Sequence, residues 1–403
     1  MSGDRARGER RDVVVVGGGP AGAATAIQLA RRGRDVLLLE RAPAWRWRAC
    51  GVFTSPATID ALRQIGLDED DLSKVVRRVP AMRVETTAGT TFRLTYGDDG
   101  SLAHAAAGLD RSRLDPLLLE HAAAAGVEVR RGADVRSVRD GLAMLADGAA
   151  VEARVIVGAD GLRSVVARDG RVVAAPPFGG RPALTFHVAD PGGDRPRDAR
   201  MVVLDGAYVG LAPVPGGRVN VGIVLISPVW RERLRTLAAA ETARAVLAAI
   251  RAADDDPVDW STPTICDAIE GASPVGLRVT RRAGSSWLLV GDAAGFLDPF
   301  TGEGLGRALR TAELAAAAVD RHLEGDAMAL RRYDRALRRR FLAKDSVSAV
   351  VQAFVARPGA FEYVARRLAA RSDVRETMGR VIGDLGPATA AFDPRLLVGL
   401  LRP

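Results

Sequence analysis

The chain has 403 residues, 48% of them hydrophobic, and carries 57 Lys and Arg against 49 Asp and Glu, for a formal net charge of +8. That length holds two or three domains with real cores, and the composition excludes disorder for most of the chain. The excess charge is arginine, since lysine occurs only at Lys74 and Lys344; without an aromatic-studded basic stripe or a helix-turn-helix pattern it is not a nucleic-acid footprint, and an anionic membrane surface or an acidic substrate suits it better.

The first ten residues are charged and lack an apolar run, so they read as a solvated tail and not as a signal peptide. From Asp12 the chain runs Asp-Val-Val-Val-Val-Gly17-Gly18-Gly19-Pro20-Ala21-Gly22, then through an Ala-rich helical stretch, then Asp35-Val-Leu-Leu-Leu-Glu40. An apolar strand, a Gly-x-Gly-x-x-Gly turn, a helix and a second strand ending on a carboxylate make a dinucleotide-binding βαβ unit. Gly17 permits the tight turn, Gly19 lets backbone N–H groups approach a pyrophosphate, and Gly22 lets the helix pack close to the strand. Glu40 is placed to take an adenosine ribose, and its charge disfavours a 2′-phosphate, which points to FAD or NAD over NADP.

Residues 56–66 have helical spacing and end on Gly66, short strands follow within 82–96, and a helix from Leu109 stops at Gly126 before the strand 127–130. A buried strand, 151–157, runs into Gly158-Ala159-Asp160-Gly161. Between about 180 and 277 the β-rich runs 183–188, 201–204, 208–214 and 218–225 are interrupted by one expected helix, 231–252. This predicts an antiparallel sheet inserted into the first domain. The strand 286–291 leads into Gly291-Asp292-Ala-Ala-Gly-Phe-Leu-Asp298-Pro299-Phe300-Thr301-Gly302-Glu303-Gly304 and a long Ala-rich helix. From 326 the pattern is helical and Arg-rich, with apolar Leu330, Tyr333, Leu337 and Phe341. No internal repeat and no apolar run long enough to span a bilayer is visible.

The fold class expected is α/β: a Rossmann-like three-layer dinucleotide domain with an inserted antiparallel-sheet substrate domain and a C-terminal helical region. The division expected is 11–75, 103–178 and 278–325 for the dinucleotide domain, 76–102 and 179–277 for the substrate domain, and 326–403 for the helices. Asp292, at a strand's carboxyl end, suits a ribityl hydroxyl, and Thr301–Gly304 exposes N–H groups at a helix N-terminus, where negative charge is favoured. Cys50 and Cys266 are too few for a disulfide framework and suit a reducing cytoplasm. His104, His121, His187 and His322 are scattered without ligand spacing, so no metal is expected.

Three motifs in this order, Gly17–Gly22 with Glu40, Gly158–Ser164 and Gly291–Gly304, resemble the p-hydroxybenzoate-hydroxylase-like flavoprotein superfamily over residues 12–325. The resemblance implies FAD bound extended along the first domain, with Glu40 at the adenosine ribose and Arg41 among the cofactor-binding residues. It further implies Asp160 and Gly161 on the pyrophosphate side, Arg111 reaching the cofactor, and Gly291, Asp292, Pro299, Gly302, Glu303 and Gly304 around the ribityl chain and ring. Within the superfamily the chain is most similar to the geranylgeranyl reductase family: Arg48-Ala-Cys50-Gly51-Val52 resembles its Cys-Gly element near the flavin. Tyr208-Val-Gly-Leu-Ala-Pro213 resembles its Tyr-x-Trp-x-Phe-Pro element, but Gly210 and Ala212 stand where aromatic residues are expected. Phe186, Tyr208, Leu211 and Pro213 are the expected substrate residues.

The activity implied is reduction of a carbon–carbon double bond in a hydrophobic, isoprenoid or polyketide-like substrate, with Cys50 as the group near the ring; a small buried hydrophobe is the other reading of Cys50. NAD(P)H is the expected donor. With no second dinucleotide turn it would visit transiently, and a ferredoxin or flavin partner is the alternative. The competing activity is a monooxygenase acting through a flavin C4a-hydroperoxide. A halogenase fits less well, because Trp45-Arg-Trp47 lies in the wrong place for that branch's Trp-x-Trp-x-Ile-Pro element. The Arg-rich C-terminal helices read either as a packed, solvated layer or as a peripheral contact with the inner membrane face.

Overall fold

The structure, a computed structural model, describes residues 9–96, 105–251, 253 and 256–401. Its first sheet runs Glu128–Arg131, Val36–Glu40, Glu9–Val16 and Ala150–Gly158, followed by the antiparallel pair Leu142–Leu145 and Val135–Arg139. Ala150–Gly158 is long enough to pair twice on one side: its first part meets Leu142–Leu145, and its end meets Trp287–Leu289 in parallel. Val13, Val14, Val15, Leu37 and Leu38 are fully buried, in a core shared with the helix Pro20–Ala30 and with Val135, Val138, Ala143 and Leu145 of the antiparallel pair. Each such side chain contributes roughly 1.5–3 kcal/mol, and Leu38→Ala would cost about 2–5 kcal/mol.

Pro20 opens the helix Pro20–Ala30 from its first turn, where a missing N–H costs nothing. That helix packs between Arg111–Ala124 and Gly304–Leu323. The parallel register sets Val16 beside Gly158 and Leu39, and Gly158 beside Leu289. All three glycine motifs and Glu40 therefore emerge at the carboxyl ends of adjacent strands, where ligands of open α/β sheets bind.

The second sheet has the order Glu270–Ala272, Ala183–Ala189, Arg218–Leu225, Ala207–Val214, Ala199–Leu204, Ala81–Thr86, Thr91–Thr95. It is antiparallel except where Ala199–Leu204 meets Ala81–Thr86. The small sheet of Phe53–Thr54, Ala106–Leu109 and Val76–Val79 joins the two bodies. One face of the inserted sheet is covered by the helices Pro228–Thr236 and Ala239–Leu247, the other by the C-terminal helices Ala329–Val355, Pro358–Ala370, Ser372–Ile382 and Pro394–Leu401.

The single helix expected over 231–252 is two. Trp230 and Leu234 form one stripe and Ala239, Ala243 and Val246 another, all packed on the same sheet face. The step from Leu234 to Ala239 turns a continuous helix by about 500°, which would leave the stripes about 140° apart. An extended residue at Leu237 brings both back onto the sheet.

Candidate functional site

Gly17 adopts φ +104°, and a Cβ there would lie 2.5 Å from the carbonyl oxygen of Ala159, whose N–H donates to Val16 O at 2.8 Å. The first glycine turn and the Gly158–Gly161 loop are thus locked back to back. At Gly22 a Cβ would lie 1.9 Å from Gly17 O, so helix and turn approach as closely as backbone allows. Gly19 differs, with no atom within 4 Å of where its Cβ would be, and it caps the helix that begins at the buried Pro20 and Ala21. The buried Glu40 carboxylate accepts from Gly18 N at 2.8 Å and Ala42 N at 3.0 Å, with Arg48 Nη2 at 4.0 Å, while Arg41 is exposed.

Asp160 Oδ2 accepts from Val165 N at 2.6 Å, but its buried Oδ1 has no partner, and burial raises the carboxyl above its ordinary range. Beside it Gly161, at φ +73°, faces open space. Gly291, at φ +57°, sits against Ala21, where a Cβ would come within 2.7 Å of the Ala21 methyl, so the first and third motifs touch. Asp292 is raised by burial and drawn back by Arg111 and Arg307, and among the described residues nothing donates a hydrogen bond to its carboxylate.

Arg111 makes a fork on Asp115, Nε to Oδ1 at 2.6 Å and Nη2 to Oδ2 at 3.0 Å, and spends Nη1 on Gly51 O at 2.8 Å. This pins the Cys50–Gly51 loop beside Asp292. Burial pushes the Cys50 thiol up to about 11 against the pull of Arg111 and Arg48, so it is a thiol at neutral pH. On the other side of the site, Gly302 at φ +68° turns the chain under Phe53, after Pro299 and before the helix that starts at Gly304. Glu303 faces Lys344 at 3.4 Å, and burial pushes its carboxyl up to about 7.

The structure corrects part of the expected substrate lining. Phe186 and Leu211 belong to the core under Pro228–Thr236 and Ala239–Leu247, and Pro213 alternates onto the same face, away from the glycine motifs. Tyr208 stands on the opposite face, toward the site. Its hydroxyl donates to Asp298 at 2.5 Å, and Asp298 also accepts from Gln352 Nε2 at 2.7 Å, Arg181 Nη1 at 3.4 Å and Phe300 N at 3.0 Å.

Sequence reasoning assigned no role to Asp298, Arg181 or Gln352, which meet only in the fold. It also missed His187 Nδ1 on Asp267 Oδ2 at 2.6 Å, for which Asp267 gives no sequence signal. Lys344 did have a signal, as one of two lysines in an arginine chain. It donates to Val381 O at 2.7 Å and Asp384 Oδ1 at 2.6 Å.

At Gly19, Gly51 and Gly161 nothing lies within 4 Å of where a Cβ would be, so the backbone near Glu40, Asp160 and Cys50 is accessible to a ligand. Asp160 keeps one buried oxygen without a donor, and the half-buried Asp292 carboxylate accepts no hydrogen bond among the described residues. A pyrophosphate at the glycine turn, a ribose at Glu40 and a ribityl chain at Asp292 satisfy this set, so the residues fit FAD. Fold and site together define a FAD-dependent oxidoreductase.

The chain belongs to the family described as FAD binding domain, whose profile matches residues 10–347. It is 30% identical over 333 residues to the menaquinone reductase of Mycobacterium tuberculosis, covering 77% of this chain and 76% of that one. It is 26% identical over 314 residues to digeranylgeranylglycerophospholipid reductase 2 of Methanosphaera stadtmanae, covering 74% and 75%. A solved flavoprotein/dehydrogenase from Cytophaga hutchinsonii shares the fold at TM-score 0.79 and 20% identity, over 95% of each chain. The likeness to the geranylgeranyl reductases thus extends well beyond the three motifs. Among the described residues no helix is long and apolar enough to cross a membrane.

Proposed function

We propose that the protein reduces a carbon–carbon double bond of a hydrophobic, isoprenoid or polyketide-like substrate, with NAD(P)H as the electron donor. The observation that carries this reading is the Cys50–Gly51 loop, pinned by Arg111 Nη1 on Gly51 O at 2.8 Å, where burial pushes the Cys50 thiol up and keeps it protonated. Saturating a double bond takes two electrons and two hydrogens, and FAD, when bound, supplies the two-electron carrier. Cys50 holds the proton, Arg111 fixes its loop through Gly51 O, and the neighbouring Asp292 holds the ribityl side. The reading draws support from the Mycobacterium tuberculosis and Methanosphaera stadtmanae relatives described above, which are named reductases. The exposed arginines of the helix Ala329–Val355 suit an enzyme working in the cytoplasm at the inner face of its membrane.

Anaerobic mixing of the yellow protein with NADPH and with NADH tests the donor by bleaching of the flavin band. A menaquinone added next should gain two hydrogens by mass. Cys50→Ala should slow that product by about 10²-fold while leaving the bleaching rate unchanged. A lasting C4a-adduct absorbance on admitting air, with an oxygenated product, would replace this reading with the monooxygenase.

A further inference from the structure

The register of the inserted sheet arranges its site-facing residues in rows across three strands. Ala212, Asn220 and His187 stand side by side, then Gly210, Gly222 and Thr185, then Tyr208, Val224 and Ala183. The outer rows are covered. Phe300 meets the Tyr208 ring edge-on at 5.1 Å, Trp47 lies 4.4 Å from the His187 ring, and Val52 packs on Ala212 and Val214. In the middle row Thr185 is buried and accepts from Asn220 Nδ2 at 3.1 Å, but the two glycines are bare: Gly210 and Gly222 are only half-buried, although Tyr208, Ala212 and Asn220 around them are buried. A Cβ on Gly222 would find only Gly210 O, at 3.9 Å, and one on Gly210 would find the Met201 methyl at 3.5 Å.

Paired glycines inside adjacent strands weaken a sheet and mark places where something approaches the backbone closely. The covered rows lie four residues apart, about 13 Å along the strand at about 3.3 Å per residue. Both walls of the gap belong to the flavin-site loops: Phe300 to the Asp298–Gly304 turn, and Trp47 to the segment leading to Cys50 and Gly51. One edge is polar. The Trp45 and Trp47 rings lie 6.5 Å apart, and both indole N–H groups are buried without an acceptor. His187 Nδ1 is held by Asp267, which leaves Nε2 beside Asn220 Nδ2 at 3.5 Å. A buried N–H left unpaired is costly, and a ligand oxygen would recover that cost.

We propose that Gly210 and Gly222 form the floor of the substrate cleft, and that the substrate lays on it a flat conjugated ring whose carbonyl or hydroxyl oxygen meets the Trp45–Trp47–His187 edge. Quinones and aromatic polyketides are the classes with that shape and chemistry. Bare peptide planes suit a flat ring, whereas a saturated or prenyl chain needs side chains to enclose it. This rests on the flavin reading of the site.

The test uses the full-length, FAD-loaded protein, with 2,3-dimethyl-1,4-naphthoquinone as probe and 2,3-dimethylnaphthalene and geraniol as controls. Binding to the oxidised protein is read from perturbation of the visible flavin spectrum, without turnover. The quinone should bind more tightly than either control, and Gly210→Leu and Gly222→Leu should weaken it by about tenfold or more with FAD content unchanged. Trp47→Phe, which keeps the ring and removes the N–H, should weaken the quinone several-fold and leave the hydrocarbon unaffected. Leucine variants that hold the quinone as well as the parent would overturn the proposal, as would equal losses for quinone and hydrocarbon in Trp47→Phe, or preference for geraniol. A protein that takes up no FAD would overturn the flavin reading instead.

Discussion

A Cβ at Gly22 would sit 1.9 Å from the carbonyl oxygen of Gly17, and both partners are backbone, so no flexible side chain can move aside. Gly22→Ala must therefore push the helix away from the turn, at about 1–3 kcal/mol or more, and should yield a colourless protein with a lowered melting temperature. Gly19→Ala provides the contrast, because its Cβ would point into open space. It should melt within about 2 °C of the parent yet bind FAD more weakly, since the methyl intrudes where the pyrophosphate approaches. Thermal melts and the ratio of visible to ultraviolet absorbance separate the two outcomes. Equal loss of stability in both would mean that Gly19 is a packing residue and does not face the nucleotide.

Several elements meet at Glu303, which precedes the helix Gly304–Leu323 and faces Lys344 from Ala329–Val355. Asp384, from the turn after Ser372–Ile382, shares that lysine and accepts from Ser55 Oγ at 3.2 Å. Arg307, on the helix that Glu303 precedes, and the Thr301 hydroxyl also act on it. Its carboxyl is pushed up to about 7 from an ordinary 4.5, so the folded state binds this proton more tightly than the unfolded chain. The resulting stability is fully present below about 4.5 and is lost as pH rises through about 7. Glu303→Gln removes the titration, so urea denaturation should show the variant gaining on the parent from pH 5 to pH 8, by up to about 3 kcal/mol. A constant difference across that range would mean the carboxyl is not buried in a proton-holding site. This junction also shows what a sequence conceals. The glycine motifs were legible because each is a local strand–turn–helix, with chemistry and geometry set within a few residues. Lys344, Glu303 and Asp384 meet only after the C-terminal helices dock, and no local pattern encodes that. Phe186 and Leu211 were misassigned for a related reason: the inserted sheet is covered on both faces, so its strands lack the apolar–polar alternation that reveals which side faces a site. The helix break at Leu237 was hidden because two apolar stripes a five-residue step apart, about 140° out of phase on one helix, look continuous when read as composition.

Across the whole molecule much of the arginine excess is already paired, as in Arg200 with Glu85 and Asp256, Arg77 with Asp190, and Arg11 with Glu128 and Asp35. The helix Ala329–Val355 is different. Arg331, Arg335, Arg339 and Arg340 are exposed, and none has an acidic partner among the described residues. Arg331, Arg335 and Arg339 follow at four-residue steps and so share one face, with Leu342 68% exposed farther along the helix. An anionic bilayer attracts each such arginine by about 1 kcal/mol, within a screening length of about 8 Å at physiological salt. Three or four together hold a protein at a surface without any inserted span. The full chain should therefore sediment with vesicles of phosphatidylcholine and phosphatidylglycerol at low salt and be released at about 0.5 M salt. The double variant R335E and R339E should stay in the supernatant with an unchanged flavin spectrum. Equal sedimentation with pure phosphatidylcholine, or none with the anionic vesicles at low salt, would leave this helix face as a solvated surface and the membrane contact without support.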